Sequence, residues 1–154
     1  MPEWHGLSYK GNPISFHKTY MKHQIIKIKT ESQTELIDIT GHVKKFVNNN
    51  QIESGMCMVY VPHTTAAVTI NENADPSVKK DVLMVINDII PWKNAYKHLE
   101  GNSPAHIKSI LFGSSELIPI IDKQLVLGTW QGIFFCEFDG PRNRKFYIQM
   151  LACQ

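Results

Sequence analysis

The chain has 154 residues, with 16 Lys and Arg against 14 Asp and Glu and a formal net charge of +2. Hydrophobic residues make up 43% of the sequence and charged residues 19%, which excludes a disordered protein and is typical of one folded domain. The small charge, without a Lys/Arg cluster, argues against nucleic-acid binding, and no apolar stretch reaches the roughly 18 residues that span a membrane.

Several coarser features also follow from composition. A charged fraction below the usual value of about 25% indicates surface that is hidden in an oligomer. The N-terminus lacks a basic start and an apolar core, so we expect a cytoplasmic protein without a secretory signal.

Residues 1–20 show no sustained periodicity. We treat them as an N-terminal extension whose order the sequence leaves open, followed by one domain over residues 21–154.

The first half of the chain contains four segments with the alternation or the β-branched composition of strands. They cover residues 24–29, 35–40, 56–61 and 66–70. The first two flank a polar turn, and the run over 56–61, short and rich in strand formers, predicts a central strand. After the second segment, Thr40 or Gly41 is predicted to cap a helix that ends near residue 50.

A second helix is predicted to begin at Asp75-Pro76, because Asp accepts the first free amides of a helix and Pro has its φ already fixed. Its apolar residues are predicted to share one side that packs on a sheet: Val78, Val82, Val85, Ile86 and Ile89. Residues 92–101 have no periodicity, and a loop of this length in a small domain is usually functional. Ser103-Pro104 repeats the same start for a short helix that ends at Gly113.

Four further strand-like segments follow, over residues 116–121, 125–127, 133–138 and 145–151. Asp122-Lys123 joins the first two and residues 139–142 join the last two, and both connections have the composition of hairpin turns. Strands in hairpins with helices between them predict an α+β fold. We expect a single compact domain of mostly antiparallel β-sheet with two or three packed helices.

The first candidate site surrounds a histidine at the end of the predicted central strand. His63 is followed by Thr64 and Thr65, a pattern that fits either a tight turn with a solvated histidine or an acid/base or metal ligand. Asn71 and Asn73 precede the second helix, whose positive dipole end favours a phosphate-sized anion.

The second candidate site contains two more histidines. His98 lies in the loop over residues 92–101 and His106 lies in the first turn of the following helix. Together with His63 they offer three imidazoles, which is the ligand set of a catalytic zinc site with an open fourth position. Hydrogen-bonded histidines in a polar pocket are the alternative.

The third candidate site lies on the strand over residues 133–138. A period of two places Glu137 on the same face as Phe135, and a carboxylate in so apolar a strand is either paired with a cation or set in a pocket. Arg142 and Arg144 are partners for this carboxylate or for a phosphate. An ordinary β-turn with solvated arginines is the alternative.

The cysteines are the last group with possible chemistry. Cys57, Cys136 and Cys153 lie far apart, and two of them stand inside apolar runs, which is typical of buried free thiols. A cysteine nucleophile beside a histidine is the alternative.

Three ordered sets of motifs then carry a resemblance to a known family. They occupy residues 61–67 with 70–76, residues 101–102 with 105–108, and residues 127–133 with 137–142. The chain resembles the YjbQ-like family from about residue 22 to residue 151. The resemblance implies a small α+β fold, a homotrimer and a polar site that holds the matched histidines. It also implies a link to a secondary thiamine-phosphate synthase activity.

Together the residues and the resemblance predict a small enzyme that acts on a phosphorylated small metabolite. His63 or His106 would be the acid/base, Glu137 would orient an imidazole, and Arg142 or Arg144 would neutralise phosphate charge. The remaining polar residues of this pocket would be Thr64, Thr65, Asn71 and Asn73.

A thiamine-phosphate synthase joins a pyrimidine diphosphate to a thiazole phosphate and expels pyrophosphate, a task for which such enzymes use Mg²⁺. The imidazoles of His63, His98 and His106 instead favour a zinc-like divalent metal. Two alternatives stay open: a trimeric metal- or metabolite-binding protein without turnover, and metal-dependent hydrolysis of a phosphorylated compound.

Overall fold

The computed structural model describes residues 19–153, so the greater part of the predicted extension over residues 1–20 lies outside the described residues. The elements in chain order are β1 (Thr19–Lys29), β2 (Glu35–Asp38), α1 (Thr40–Asn50), β3 (Ser54–Tyr60), β4 (Ala66–Glu72), α2 (Pro76–Ile89), α3 (Ser103–Phe112), β5 (Ser115–Ile121), β6 (Gln124–Leu125), β7 (Gln131–Glu137) and β8 (Asn143–Cys153). The α+β class and the order of strands and helices predicted from the sequence are confirmed.

Two antiparallel sheets make up the described part of the fold. One has five strands in the order β1-β8-β3-β5-β6 and the other has three strands in the order β2-β7-β4. The strand β3 lies in the middle of the larger sheet, as the sequence predicted. Asp122 and Lys123 both have positive φ and turn β5 into β6, which confirms that hairpin.

The predicted hairpin between the last two long strands is wrong. The strand β7 pairs with β2 and β4, whereas β8 pairs with β1 and β3 in the other sheet. Each of the two strands therefore already has a neighbour on both edges, and residues 138–142 carry the chain from one sheet to the other. In the same way, β1 and β2 follow one another but belong to different sheets.

The main core lies between the two sheets and α1. Val43 and Val47 of α1 are fully buried in it, together with Phe135 of β7 and Ile148 of β8. A smaller core covers the opposite face of the three-stranded sheet, where Ala105 of α3 packs against three residues of β7 and its extension, Phe134, Cys136 and Phe138. Alternate side chains of β7 therefore pack into two cores, one on each face of the sheet.

The start of α1 differs from the prediction by one residue. Ile39 is the cap residue and Thr40 is already helical, so neither Thr40 nor Gly41 caps the helix. The Oγ1 atom of Thr40 instead accepts the N–H of Ile133 at 2.8 Å. The hydroxyl ties the helix to the sheet, which is why its usual capping role is absent here.

The helix α2 begins as predicted, but its predicted apolar side is only partly covered. Asp75 Oδ1 accepts the N–H of Ser77 at 2.8 Å, and Pro76 is the first helical residue. No residue of α2 is buried, however, and Ile89 keeps 67% of its surface exposed. Of the predicted apolar side, Val78, Val82 and Ile86 are half-buried, whereas Val85 and Ile89 are exposed in the single chain, as are Ile110 and Leu111 of α3. No helix among residues 19–153 combines the length and the hydropathy that crossing a membrane requires.

Candidate functional site

Glu137 and Arg144 form a buried ion pair where the two sheets meet. Arg144 donates from Nη2 to Glu137 Oε1 and from Nε to Glu137 Oε2, both at 2.7 Å. Glu137 is fully buried and Arg144 is 9% exposed. Because the contact has two points and excludes water, it fixes the orientation of the guanidinium group. Of the two arginines that the sequence offered to this carboxylate, the structure pairs Arg144.

The remaining acceptor sites of Glu137 are also occupied. Its Oε1 accepts the N–H groups of Phe138 and Asp139 at 3.0 and 2.9 Å, and its Oε2 accepts the Thr30 hydroxyl at 3.0 Å. The carboxylate therefore organises the segment that passes between the sheets. Among the described residues no imidazole hydrogen-bonds to Glu137, so a role in orienting a histidine stays a prediction.

Two threonines complete this cluster. Thr65 Oγ1 accepts from Arg144 Nη2 at 2.8 Å, and Thr30 Oγ1 accepts the N–H of Arg142 at 2.7 Å. Both threonines are buried, whereas Thr64 is exposed. Sequence reasoning missed Thr30, whose only signal is a polar residue placed directly after an amphipathic strand.

His63 lies in the connection between β3 and β4 and contacts the backbone of Lys145. Its Nε2 atom is 3.1 Å from both the N–H nitrogen and the carbonyl oxygen of that residue. Continuing the β3–β8 register beyond the pair Tyr60 and Tyr147 would place Pro62 opposite Lys145, and proline has no N–H to donate. The imidazole thus takes the place of a strand residue at this point of the ladder.

The electrostatic surroundings of His63 favour its neutral form. Burial lowers the pKa of His63 below its ordinary value, and the positive charge of Arg144 lowers it further. At pH 7 the ring is therefore an uncharged imidazole, the form that can accept a proton or donate a neutral hydrogen bond.

A cavity of about 630 Å³ opens beside this histidine. We call it the basic cavity, and its lining consists of Lys27, Ile28, Lys29, His63, Asn143, Arg144 and Lys145. Lys27 and Lys145 lie directly opposite one another in the β1–β8 register, a placement that is unfavourable for two like charges without an anion between them. Within the described residues no carboxylate lines this cavity, and the buried Glu137 side chain is paired with Arg144.

His98 and His106 lie together in another place. Their ring centroids are 5.4 Å apart in an edge-to-face arrangement, and both line a cavity of about 360 Å³ that His63 does not reach. Glu100 Oε2 is 3.7 Å from His98 Nε2. Within residues 19–153 no group of three or more His, Cys, Asp or Glu side chains is arranged to hold a metal ion. The chain alone therefore assembles two of the three predicted imidazoles.

The other predicted phosphate ligands are dispersed. Asn73 donates from Nδ2 to Asp38 at 2.7 Å, and Arg142 donates to Asp139 Oδ2 at 2.7 Å, so both side chains have protein partners. Asn71 is exposed and lines a third cavity with Glu72 and Trp130, at the opposite end of β4 from His63. The structure thus brings Arg144 and Thr65 to the basic cavity and the cluster behind it, and leaves Asn71 elsewhere.

Lys108 is a buried cation that the sequence analysis did not single out. It is fully buried on α3, donates to Asn87 Oδ1 and has its Nζ 5.6 Å from the centre of the Trp92 ring. No carboxylate within the described residues pairs with it, and burial lowers its pKa. Its signal in the sequence is a lysine on the buried face of a short helix.

The thiols of Cys57 and Cys136 are buried and free. Burial raises the pKa of Cys57 to about 12 and raises the pKa of Cys136 as well. Both thiols are therefore protonated at neutral pH, as expected of core residues and unlike a cysteine nucleophile.

Comparison with known proteins gives a consistent result. The sequence profile described as "UPF0047 protein YjbQ-like" matches residues 24–153. A UPF0047 protein of Methanocaldococcus jannaschii is 52% identical over 126 residues, which cover 82% of this chain and 91% of that protein. The UPF0047 protein YugU of Bacillus subtilis is 50% identical and is covered to 97%, against 82% of this chain.

Solved structures agree with these sequence relatives. A YjbQ/UPF0047 family protein from Clostridium acetobutylicum superposes with a TM-score of 0.81 at 50% identity, covering 82% of this chain and 98% of the other. A YbjQ-like protein of unknown function from Sulfolobus solfataricus superposes with a TM-score of 0.85 at 33% identity, covering 88% of this chain and 99% of the other.

Proposed function

The chain belongs to the YjbQ-like UPF0047 family, and from its site we propose that it binds and converts a small phosphorylated metabolite in the basic cavity. The observation that carries this proposal is the charge of the lining. Lys27, Lys29 and Lys145 contribute three positive charges that no carboxylate of the described lining offsets, while Glu137 balances Arg144. A phosphate group would relieve the repulsion between these cations.

Arg144 supports the same proposal. Its Nε and Nη2 atoms are engaged by Glu137 and Thr65, whereas no hydrogen bond within the described residues uses Nη1. A guanidinium held rigidly by Glu137 and Thr65, with one nitrogen outside the hydrogen bonds of the described residues, is well placed to bind a phosphate oxygen.

The candidate reaction is of the thiamine-phosphate synthase type. In that reaction the lysines of the basic cavity would neutralise the pyrophosphate leaving group, and the neutral imidazole of His63 would serve as the acid/base. Two imidazoles, those of His98 and His106, are fewer than the three protein ligands of a catalytic zinc site. We therefore assign no step to a metal ion supplied by one chain.

The first experiment measures binding of pyrophosphate by calorimetry at pH 7.5. We expect Lys27→Gln and Lys145→Gln each to weaken binding about tenfold, since each removes a charge from the cavity. Lys22→Gln is the matched control, because it removes the same charge from the same strand at a residue that does not line the cavity, and it should change affinity less than about twofold. Equal weakening by all three variants would refute a specific site.

The second experiment tests turnover. Protein incubated with the pyrimidine diphosphate and the thiazole phosphate should release pyrophosphate, and His63→Ala should abolish this release. Wild type should rescue a thiamine-requiring strain that His63→Ala does not rescue; equal rescue would show that this cavity does not perform the reaction. Release of inorganic phosphate from either substrate alone would instead indicate hydrolysis.

Binding without turnover is the second candidate. The observation that favours it is that Glu137 and His63, two of the predicted catalytic groups, are both engaged in contacts within the chain. Pyrophosphate binding that depends on Lys27 and Lys145, combined with no product from either substrate, would establish this function.

We propose further that the chain assembles as a homotrimer. The support is the amount of apolar surface that one chain leaves uncovered, on α2 and α3 and on the outer face of the larger sheet. The most exposed of these side chains are Met21, Met84, Ile89, Ile110 and Leu111. Sedimentation equilibrium should give three times the chain mass of 17.6 kDa, and a monomer at micromolar concentration would contradict the proposal.

A metal ion is tested together with the assembly, since His98 and His106 would need a further ligand from another chain. Elemental analysis of protein purified without chelator measures zinc, manganese, nickel and magnesium directly. Near-stoichiometric metal that is lost in His106→Ala would support such a site. Less than about a tenth of an equivalent per chain would exclude it.

A further inference from the structure

The cavity that contains Asn71 is built around an exposed tryptophan. It has a volume of about 530 Å³, and its walls include Trp130, Glu72, Asn71, Ile70 and Thr129. We call it the indole cavity. Trp130 keeps 67% of its surface exposed. An indole of this size left in water is unusual here, since the other aromatic residues of the described part mainly pack inside, and it has an unused π face.

The backbone beneath the indole is fixed by hydrogen bonds. Trp130 accepts the N–H of Asn73 through its carbonyl oxygen at 2.7 Å, and Gln131 closes a turn with Gly128 in both directions. Gly132, the next residue, approaches Asn73 so closely that a Cβ atom would lie 2.7 Å from the Asn73 Cβ. The tryptophan is therefore held on a rigid turn while its side chain is exposed, which lowers the entropic cost of binding a ligand.

The charge of the indole cavity is opposite to that of the basic cavity. Glu72 is the charged residue in its wall, and within the described residues no ion pair engages this carboxylate. Lys44 lines an adjacent cavity that shares Gly128, Thr129 and Gln131 with the indole cavity. A carboxylate beside an indole face attracts a cation through charge and through the quadrupole of the ring.

We propose that the indole cavity binds a planar organic cation, which stacks on Trp130 and pairs with Glu72. We expect the ligand to be planar because the exposed face of Trp130 can stack on a flat ring over its whole area. The positive charge of the ligand follows from Glu72. The side-chain oxygen of Asn71 already accepts the Glu72 N–H at 2.7 Å, so its Nδ2 group remains as a hydrogen-bond donor for the ligand.

This site is independent of the proposed phosphate site. His63 precedes β4 and Glu72 ends it, so the two cavities lie at opposite ends of a seven-residue strand, roughly 20 Å apart. Failure of one proposal therefore leaves the other unaffected, and each has its own variants and its own probe.

The test uses 1-methylnicotinamide as the cationic probe and nicotinamide as its neutral counterpart of nearly the same shape. The chain has three tryptophans, so protein labelled with nitrogen-15 gives three indole N–H signals. The signal missing from Trp130→Phe identifies Trp130. We expect 1-methylnicotinamide to shift this signal and to bind about fivefold more tightly than nicotinamide.

Two charge variants provide the controls. Glu72→Gln should abolish the preference for the cation, and Lys44→Gln should leave it unchanged or increase it, because it removes a neighbouring positive charge. Equal affinity for both probes, or an unchanged preference in Glu72→Gln, would overturn the proposal. So would a fall in the mass of the assembly in Trp130→Ala, since the indole would then be covered by a second copy of the chain.

Discussion

Replacing Glu137 by glutamine is the most direct test of how the two sheets are joined. The amide keeps the size of the side chain but loses its charge, so the Arg144 guanidinium, only 8% exposed, stays buried without a counter-ion. Breaking a buried ion pair in this way costs about 3–5 kcal/mol of unfolding free energy. For a chain of this size each kcal/mol lowers Tm by about 2–4 °C, so we expect a fall of roughly 6–20 °C.

The assay is thermal and urea unfolding followed by circular dichroism, at one fixed protein concentration because self-association raises Tm. Arg142→Gln is the control: it breaks the pair with Asp139, but the Arg142 side chain is 52% exposed and its contribution should be about 0–1 kcal/mol. The double variant Glu137→Leu/Arg144→Met removes both charges and should recover much of the lost stability. A loss below 1 kcal/mol in Glu137→Gln, or a double variant no more stable than the single one, would refute this reasoning.

Three further predictions concern other parts of the fold. Gly55→Ala should lower the unfolding free energy by more than about 2 kcal/mol, because its Cβ would lie 2.2 Å from the Leu151 carbonyl oxygen. Gly41 has open space around it, so Gly41→Ala should raise the unfolding free energy by about 0.5–1 kcal/mol, and similar urea midpoints for the two variants would contradict this prediction. Lys108→Met should raise the unfolding free energy at pH 7. This difference from wild type should shrink as pH rises toward 10.5, because the buried lysine has a lowered pKa and wild type gains stability over that range. A difference that is independent of pH would be inconsistent with a charged Lys108. Burial lowers the pKa of His63, so the unfolded state takes up a proton first and wild type should lose stability as pH falls through 6.5, whereas His63→Gln should lose less. Urea unfolding at pH 7.5 and 5.5 measures both losses, and equal losses in the two proteins would contradict this prediction.

The parts of the fold that the sequence predicts well depend on contacts between near neighbours. The start of α2 at Asp75 needs only the amide of Ser77, and the turn at Asp122 and Lys123 needs only two adjacent residues. The assignment of strands to sheets depends instead on pairing over long distances: Lys29 lies opposite Asn143. Local patterns carry no information on such pairs, so the connection at residues 138–142 was predicted as a hairpin although it crosses between sheets.

The candidate site follows the same division. A carboxylate in an apolar strand signals a nearby cation, and Arg144 is close to Glu137 in the chain. The lysines at positions 27 and 29 reach the basic cavity only through the pairing of β1 with β8, so no local signal points to them. The three histidines were grouped because of their chemistry, but His63 follows β3 while His98 and His106 lie around the start of α3, and spacing alone does not reveal that distance.

The position of β8 between β1 and β3 has a consequence for biosynthesis. The register pairs Lys29 with Asn143, so 143 − 29 = 114 further residues must be translated before the first rung between β1 and β8 can form. At about 5–20 residues per second the ribosome needs roughly 6–23 s for this stretch. During that interval β1 has no partner strand in the nascent chain, and its apolar residues Ile26 and Ile28 lack their final cover. The nascent polypeptide therefore carries an open strand edge until its last segment emerges, which is when we expect it to depend most on chaperones.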